Sequence, residues 1–573
     1  MLEVMRRSAE GKTREGAAPY LARGRQLAAL SCLFVRRFLS IETIAPGADV
    51  KEALAPILTL LALPGYVLSL VAFTGAAAMR HDPTLLYSAR WLLLIWSFVV
   101  VGVLATVQWE AFFLDRSDRM TLGALPVRGT EIFIAKLAAL LFSVAVFHVS
   151  INLMSGLVFP VSFLPHYLHA AAVHQLVLLL QSLFVAFAVA SLQGAIVHLC
   201  PRRLARQASH AAQALLLVGL ASLLMLQEEL GRWVRDARGS DALVNQVFPP
   251  AWFMTLYDRL SAGSATPPGL PAALAVVAPV GALGVAALLC LVSMHVRPST
   301  TEATGFLSTR GLPLLDRAIE SGYLRSPREV AIHGFIRRAL REGGRARLTL
   351  LAWVAAGVAL SLSFVLPALQ SCTARQGGAS PALLAPAHVM TLFGLVGLRL
   401  SAAMPVELEA HWIFRLMRPP PPREYIRATR AAALSVVIVP LLVVIGLFSL
   451  ATSGLATAAG HVALALLVAL ATLELLFLGF EKVPFTCSYV PGRAQLRVRW
   501  PFYVAIGLVY CGVLPRIEAW VLRSPAVVAA TIVGLGGLVW ALQRGRESLA
   551  ARAQGPIFDE SPPALITRLD LGS

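Results

Sequence analysis

Stretches of about 20 nearly uncharged, apolar residues recur along this chain, and 20 residues is what a helix needs to cross the ~30 Å hydrocarbon core of a bilayer. They lie near 55–78, 91–113, 132–155, 172–199, 209–227 and 272–295, and again near 348–368, 386–406, 431–451, 460–480, 501–520 and 525–543. The expected fold is therefore all-α, a polytopic integral membrane protein of about 12 transmembrane helices, six in each half. With 57% hydrophobic and 14% charged residues, the composition excludes a soluble globular protein.

A net charge of +18 would suggest a nucleic-acid partner, but its distribution argues for topology instead. In the twelve-span reading 39 of the 49 lysines and arginines fall in segments on one side of the membrane: 1–54, 114–136, 200–208, 296–347, 411–430, 481–499 and the residues after 543. This positive-inside asymmetry places both termini in the cytoplasm and makes the bilayer, with its anionic lipids, the partner of the charge. The six cysteines are scattered without a C-x-x-C, so neither a disulfide framework nor a metal site is expected.

The chain also repeats itself. LFVRRFL (33–39) and GFIRRAL (334–340) align Phe34, Arg36 and Arg37 with Phe335, Arg337 and Arg338 at a constant offset of 301. Each copy is a basic amphipathic segment ahead of a set of apolar runs. The first is expected as a surface helix near 21–44 and the second near 328–342, with the paired arginines toward lipid headgroups. A second correspondence follows the second span of each half. Glu110 and Glu407 open a charged loop, Pro126 and Pro420 mark its turn, and ten residues later Lys136 and Arg430 stand at the start of the next span. The resulting division is a basic leader (1–20), a first membrane half (21–295), a connector (296–327), a second membrane half (328–545) and a tail (546–573). The polar segment 228–270 reads as a charged helix capped by the proline-aromatic turn VFPPAWF on the opposite side.

The stretch LDRSDRMTLGALPVRGTEIFIAKL (114–137) resembles the first cytoplasmic loop of permease subunits of type-2 ATP-binding-cassette exporters. In that family an elbow helix precedes six spans, and the second span runs into a charged loop ending in a Leu-Pro-[Val/Ile] turn with a lysine about ten residues on. Here Leu125, Pro126, Val127 and Lys136 take those places. The resemblance covers roughly 20–295, and the second half only in outline, since Pro419–Pro422 replace the turn. It implies two permease halves fused in one chain, a translocation path between them, and docking of a separately encoded ATPase. The docking residues it implies are Asp115, Arg116, Asp118, Arg119, Leu125, Pro126 and Val127, with Arg415, Arg418 and Arg423 in the second half. No G-x-x-x-x-G-K-[ST] phosphate loop occurs in the chain, so ATP would be bound by the partner, no cofactor by this polypeptide, and the chain would not itself be an enzyme. Export across a plasma membrane, such as a bacterial inner membrane, is the expected role.

An alternative stays open. DRSDR (115–119) resembles the D-R-x-G-R signature of major-facilitator transporters, whose twelve spans also divide 6+6, although Asp118 replaces the glycine. A membrane enzyme or assembly factor is the third reading. Glu110 and Glu407 stand at span ends, whereas Arg399 and Glu474 lie deeper; an interhelical ion pair between them is one reading and a place on a substrate path is the other. His166, His169 and His174 cluster in sequence but lack a nearby acid, and they read as interface histidines rather than metal ligands.

Overall fold

The computed structural model describes residues 24, 26–35, 50–75, 82–109, 112, 122, 127–237, 243–263, 269–295, 313–370, 380–404, 421–478, 480, 483–486 and 506–552. Among them there is no strand, and ten helices are long and apolar enough to cross a membrane. The outward faces of these helices are hydrocarbon: Phe142, Val149, Leu153 and Leu157 on one, Val443, Val444 and Leu447 on another, all exposed. An apolar surface of that extent has no place in water and is solvated by lipid. The chain is an all-α polytopic membrane protein.

Two compact units divide it, residues 1–216 with 226–301, and residues 217–225 with 302–573. The helices of the first are α1 (Gln26–Val35), α2 (Val50–Thr74), α3 (Pro83–Val107), α4 (Gly129–Val158), α5 (Tyr167–Leu199), the first part of α6 (Arg202–Met225, whose residues 217–225 group with the second unit), α7 (Gln227–Asp236), α8 (Leu243–Val247), α9 (Pro249–Ala262) and α10 (Leu270–His295). Asp82 and Pro83 start α3: the Asp82 carboxylate accepts from the Thr84 backbone N–H at 2.8 Å, and proline fills a first-turn position whose N–H has no intrahelical acceptor. The span expected at 91–113 is thus a helix over 83–107. The polar segment after α6 contains the charged helix α7. The proline pair that was expected to cap it instead opens a separate helix, α9, at Pro249–Pro250. Helix α7 lies directly on α3. Trp91 Nε1 donates to the Gln227 carbonyl at 2.7 Å, and a Cβ on Gly231 would stand 2.7 Å from the Trp91 ring, so only glycine permits that approach.

The second unit contains α11 (Pro313–Gly322), α12 (Pro327–Glu342), α13 (Gly344–Gln370), α14 (Pro381–Ser401), α15 (Pro422–Ser453), α16 (Leu455–Leu476), α17 (506–521) and α18 (Pro525–Arg552). α13 and α14 run antiparallel at close range. A Cβ on Gly397 would lie 2.8 Å from the Trp353 Cβ, and one on Gly357 would lie 2.9 Å from the Phe393 Cβ. Bare glycines at these two levels let the helices approach as lipid-embedded helices do when dispersion and close packing hold them together. α15 widens into a π turn at Leu434–Ile438 and α17 at Val509–Val513, each immediately before the turn that holds Pro440 or Pro515. A proline offers no N–H and its ring crowds the carbonyl four residues back, and an extra residue in the turn relieves both.

Of the twelve expected spans, ten meet the length and hydropathy of a full crossing. The remaining two correspond to α2, a 25-residue helix, and to α17.

Candidate functional site

The surface helix of the first unit is buried on one side. Leu30 and Phe34 of α1 join a core with Trp109, Phe112, Leu122, Ile132 and Ala135, the residues that flank and belong to the loop between α3 and α4. Val127 packs on the edge of the same core. Lys136, only 3% exposed, holds its ammonium 5.4 Å from the centre of the Phe34 ring, a buried cation–π contact. A cleft lined by Phe112, Lys136, Phe187 and Cys290 opens beside it. Arg36, Arg37, Asp115, Arg116, Asp118, Arg119, Leu125 and Pro126 lie outside the described residues.

In the second unit the corresponding helix is α12, begun by Ser326, whose hydroxyl accepts from the Glu329 N–H at 3.2 Å, and by Pro327. Its apolar face (Ile332, Ile336, Ala339, Leu340) packs with Tyr425, Ile426 and Ala428 in the first turns of α15, and Phe335 lies at the rim. Polar bonds reinforce the seam. Arg427 Nη1 donates to Glu329 Oε1 at 2.8 Å, the Ser326 hydroxyl donates to Glu424 Oε1 at 3.5 Å, and His333 Nε2 stands 3.4 Å from the Ser435 hydroxyl. Burial holds the His333 imidazole below its ordinary value, with the Arg337 guanidinium adding to the effect, against the opposing pull of Glu320 and Asp316. Arg337 is tied to Asp316 of α11, so the expectation that it faces headgroups gives way to a local ion pair, while Arg338 is exposed. Arg423 is exposed and lies 3.5 Å from Glu547, and Arg415 and Arg418 lie outside the described residues.

A charged centre closes this end of the second unit. Glu474 is fully buried on α16. Its Oε1 lies 2.7 Å from Arg430 Nη2 and its Oε2 accepts from Arg546 Nη1 at 3.1 Å. Arg430 also donates to Gln543 Oε1 at 2.6 Å. The anticipated Arg399–Glu474 arrangement is therefore replaced. Both Glu474 oxygens are engaged by arginines of α15 and α18, whereas Arg399 Nε donates to the Leu476 carbonyl at 3.1 Å and its guanidinium stacks 4.2 Å from the Phe480 ring centre. Lys136 and Arg430, matched by their ten-residue distance from the loop proline, are both buried cations at the foot of the helix that follows the loop.

Two further polar centres lie inside the units. In the first, Asn152 Nδ2 donates to the Ser97 hydroxyl at 3.0 Å, His148 stands 3.1 Å from Ser182 and 3.2 Å from Gln175, and His174 stands 3.0 Å from the Tyr257 hydroxyl. Arg90 pairs with Asp258 at 3.2 Å and lies over the Tyr257 ring at 4.8 Å, and burial pushes the Tyr257 phenol up. His174 is thus a core residue bridging α5 and α9, while His166 and His169 are exposed. In the second unit, His388 (α14) and His461 (α16) both bond the carboxylate of Glu518 (α17), at 2.6 and 2.8 Å. The signal for that group was an ionisable residue in each of three apolar helices, and its members are too far apart in sequence to form a motif.

Among the described residues no group of three or more His, Cys, Asp and Glu side chains could hold a metal ion. Comparison with protein-family models, curated proteins and solved structures finds no match to the chain.

Proposed function

We propose that the chain is the membrane-spanning component of an ATP-binding-cassette export system and couples to a separately encoded ATPase through the charged segments that follow the second span of each half. One observation carries the reading: in both units the surface helix is packed on the first turns of the helix that follows the charged loop, and that following helix carries a buried cation at the matched position, Lys136 or Arg430. The surface helix and the following membrane helix are coupled at a packed seam, filled by Phe34 in one unit and by Ile332, Ile336 and the Arg427–Glu329 bond in the other, so a push transmitted to one moves both. Asp115–Val127 and Arg415–Arg423 are the segments offered to the ATPase, and the ATP stays on that partner. By the distribution of lysine and arginine, the loops and both termini face the cytoplasm of a cell bounded by this membrane.

Affinity purification of the full chain from native membranes in mild detergent, with mass spectrometry of what accompanies it, tests the reading. Recovery of a soluble ATPase bearing a phosphate loop supports it, and reproducible recovery of the chain alone counts against it. A gradient-driven carrier is the second reading, favoured by the ionisable group His388–Glu518–His461 inside the second unit, since such residues in membrane interiors mark ion and proton paths.

A further inference from the structure

The carboxylate of Glu518 sits between two imidazoles near the end of the second unit where α13 and α17 finish and α14, α16 and α18 begin. His388 lies two turns into α14, His461 two turns into α16, and Glu518 one turn before the end of α17. Their exposures are 3%, 0% and 5%. His388 Nε2–H donates to Glu518 Oε2 at 2.6 Å and His461 Nδ1–H donates to Oε1 at 2.8 Å, because an ionised carboxylate only accepts. The two rings stand nearly perpendicular, at 85° and 6.3 Å between centres. With each imidazole neutral and its single N–H committed to the carboxylate, the other nitrogens, His388 Nδ1 and His461 Nε2, are bare lone pairs. Neither has a hydrogen-bond partner among the described residues.

Charge counting then decides what the site takes. Two neutral imidazoles and one carboxylate leave a net charge of −1 in a medium where an uncompensated ion is costly. One added proton makes the group neutral, and a second makes it cationic and costly again. The surroundings supply no alternative counter-charge from the described residues. α13 beyond Arg347, α15 beyond Arg430 and α18 before Arg544 contain no ionisable side chain. On α17 itself, Arg516 is exposed and its guanidinium donates to the Gly512 carbonyl at 2.5 Å, while Tyr510, about two turns from Glu518, is bonded to Thr472 and Cys511 stands next to it. Arg523, in the turn after α17, is exposed, and Arg399, Glu474 and Arg546 belong to the opposite end of the helices.

We propose that His388, Glu518 and His461 form a binding site for a single proton, which converts the group from a net anion to a neutral triad joining α14, α16 and α17. The proton lands on one of the two free imidazole nitrogens, and the resulting imidazolium keeps its bond to Glu518. The proposal goes beyond the coupling role inferred above and does not depend on it, since it concerns this chain alone. Loaded, α17 is held to its two neighbours by a charge-assisted bond. Unloaded, the same three helices enclose an excess negative charge, which favours loosening of α17.

The test is nitrogen-15 spectroscopy of histidine-labelled full chain in lipid nanodiscs between pH 8 and pH 5, with H388Q and H461Q used for assignment. The expected result is one proton taken up by the pair rather than two, with both ring signals moving together. Glu518→Gln removes the negative charge while keeping the shape, and it lowers the proton affinity of the pair at least tenfold, a shift of one pH unit or more. Each single histidine variant keeps one proton, carried by the remaining imidazole. Two independent histidine titrations in the parent chain overturn the proposal, as does a Glu518→Gln titration that superimposes on the parent. Should Glu518→Gln fail to fold, the proton count in the parent and in the two histidine variants decides: a count of two in the parent, or of none in both variants, overturns it.

Discussion

Replacing Glu474 by glutamine keeps the volume of the side chain and removes its charge, which isolates what the carboxylate does at the foot of α16. At an effective dielectric near 20, contacts of 2.7 and 3.1 Å to two guanidiniums are each worth about 5–6 kcal/mol before desolvation. Taking three charges out of water offsets most of that, so the intact group contributes little net stability. The variant behaves differently, because Arg430 and Arg546, 7% and 3% exposed, are left buried with mutual repulsion and no counter-charge from Glu474. Breaking a buried pair on one side costs about 3–5 kcal/mol. For a unit of this size that corresponds to a fall of about 6–20 °C in apparent melting temperature, at roughly 2–4 °C per kcal/mol. Tryptophan-emission melts of the full chain in nanodiscs at one fixed scan rate read the shift, since unfolding of such chains is rate-governed. The triple variant E474L/R430M/R546M replaces all three charges with apolar side chains of similar size and is expected within about 1 kcal/mol of the parent or above it. An E474Q melt within 1 °C (about 0.25–0.5 kcal/mol) of the parent refutes the assignment of the carboxylate as the counter-charge of both arginines.

Gly397→Ala places a methyl against Trp353 and is expected to cost about 1–3 kcal/mol in the same melts, whereas Gly281→Ala, with open space around its Cβ, leaves them unchanged or slightly higher; equal effects at both positions would contradict the close approach of α13 and α14. Phe34→Ala empties a fully packed position, worth about 3–5 kcal/mol, and frees α1 before the rest of the unit, so limited proteolysis should cut within 26–35 faster while the remaining fragment pattern is unchanged. His333 binds protons more weakly in the folded chain than in the unfolded one, so the unfolded chain gains protons first as pH falls below the ordinary imidazole value of 6.5. Its share of stability is therefore complete above that pH and lost on acidification toward the folded value, and the melting temperature of the parent should fall more steeply from pH 7 to 5 than that of His333→Gln. On the coupling role proposed above, charge reversal at Asp115, Arg116 and Arg119 should reduce stimulation of an ATPase recovered with the chain and leave membrane insertion intact; unchanged stimulation and recovery of the partner would remove the docking assignment.

The spans were legible because each one must satisfy its own backbone and cover its own length of hydrocarbon, a demand written into consecutive residues. Partners across the bundle were not, because hydropathy does not say which faces meet. Arg430 reads as the first residue of a span that follows four prolines, yet Pro422 is already a helix start, and that places Arg430 two turns inside α15. Arg546 reads as part of a polar tail, yet α18 continues to Arg552 and carries it back to Glu474. Arg399 and Glu474 stand out in the sequence as charges within apolar runs, but the sequence offers no way to choose between three arginines for one carboxylate. The surface helices were visible as repeated motifs, and the structure adds that they are docked on one side by Phe34 and Ile336 rather than merely resting beside lipid.

The order in which Glu474 meets its partners has a consequence for biosynthesis. As the chain leaves the ribosome, Arg430 reaches the membrane with α15 before any counter-charge exists for it, Glu474 follows with α16, and Arg546 arrives only with the last helix. Arg430 is without this carboxylate until α16 emerges, and a chain cut before residue 546 is left with a one-to-one pair. Quality control that senses polar groups stranded in lipid would thus read the arrival of α18, which closes a charge group begun more than a hundred residues earlier at Arg430.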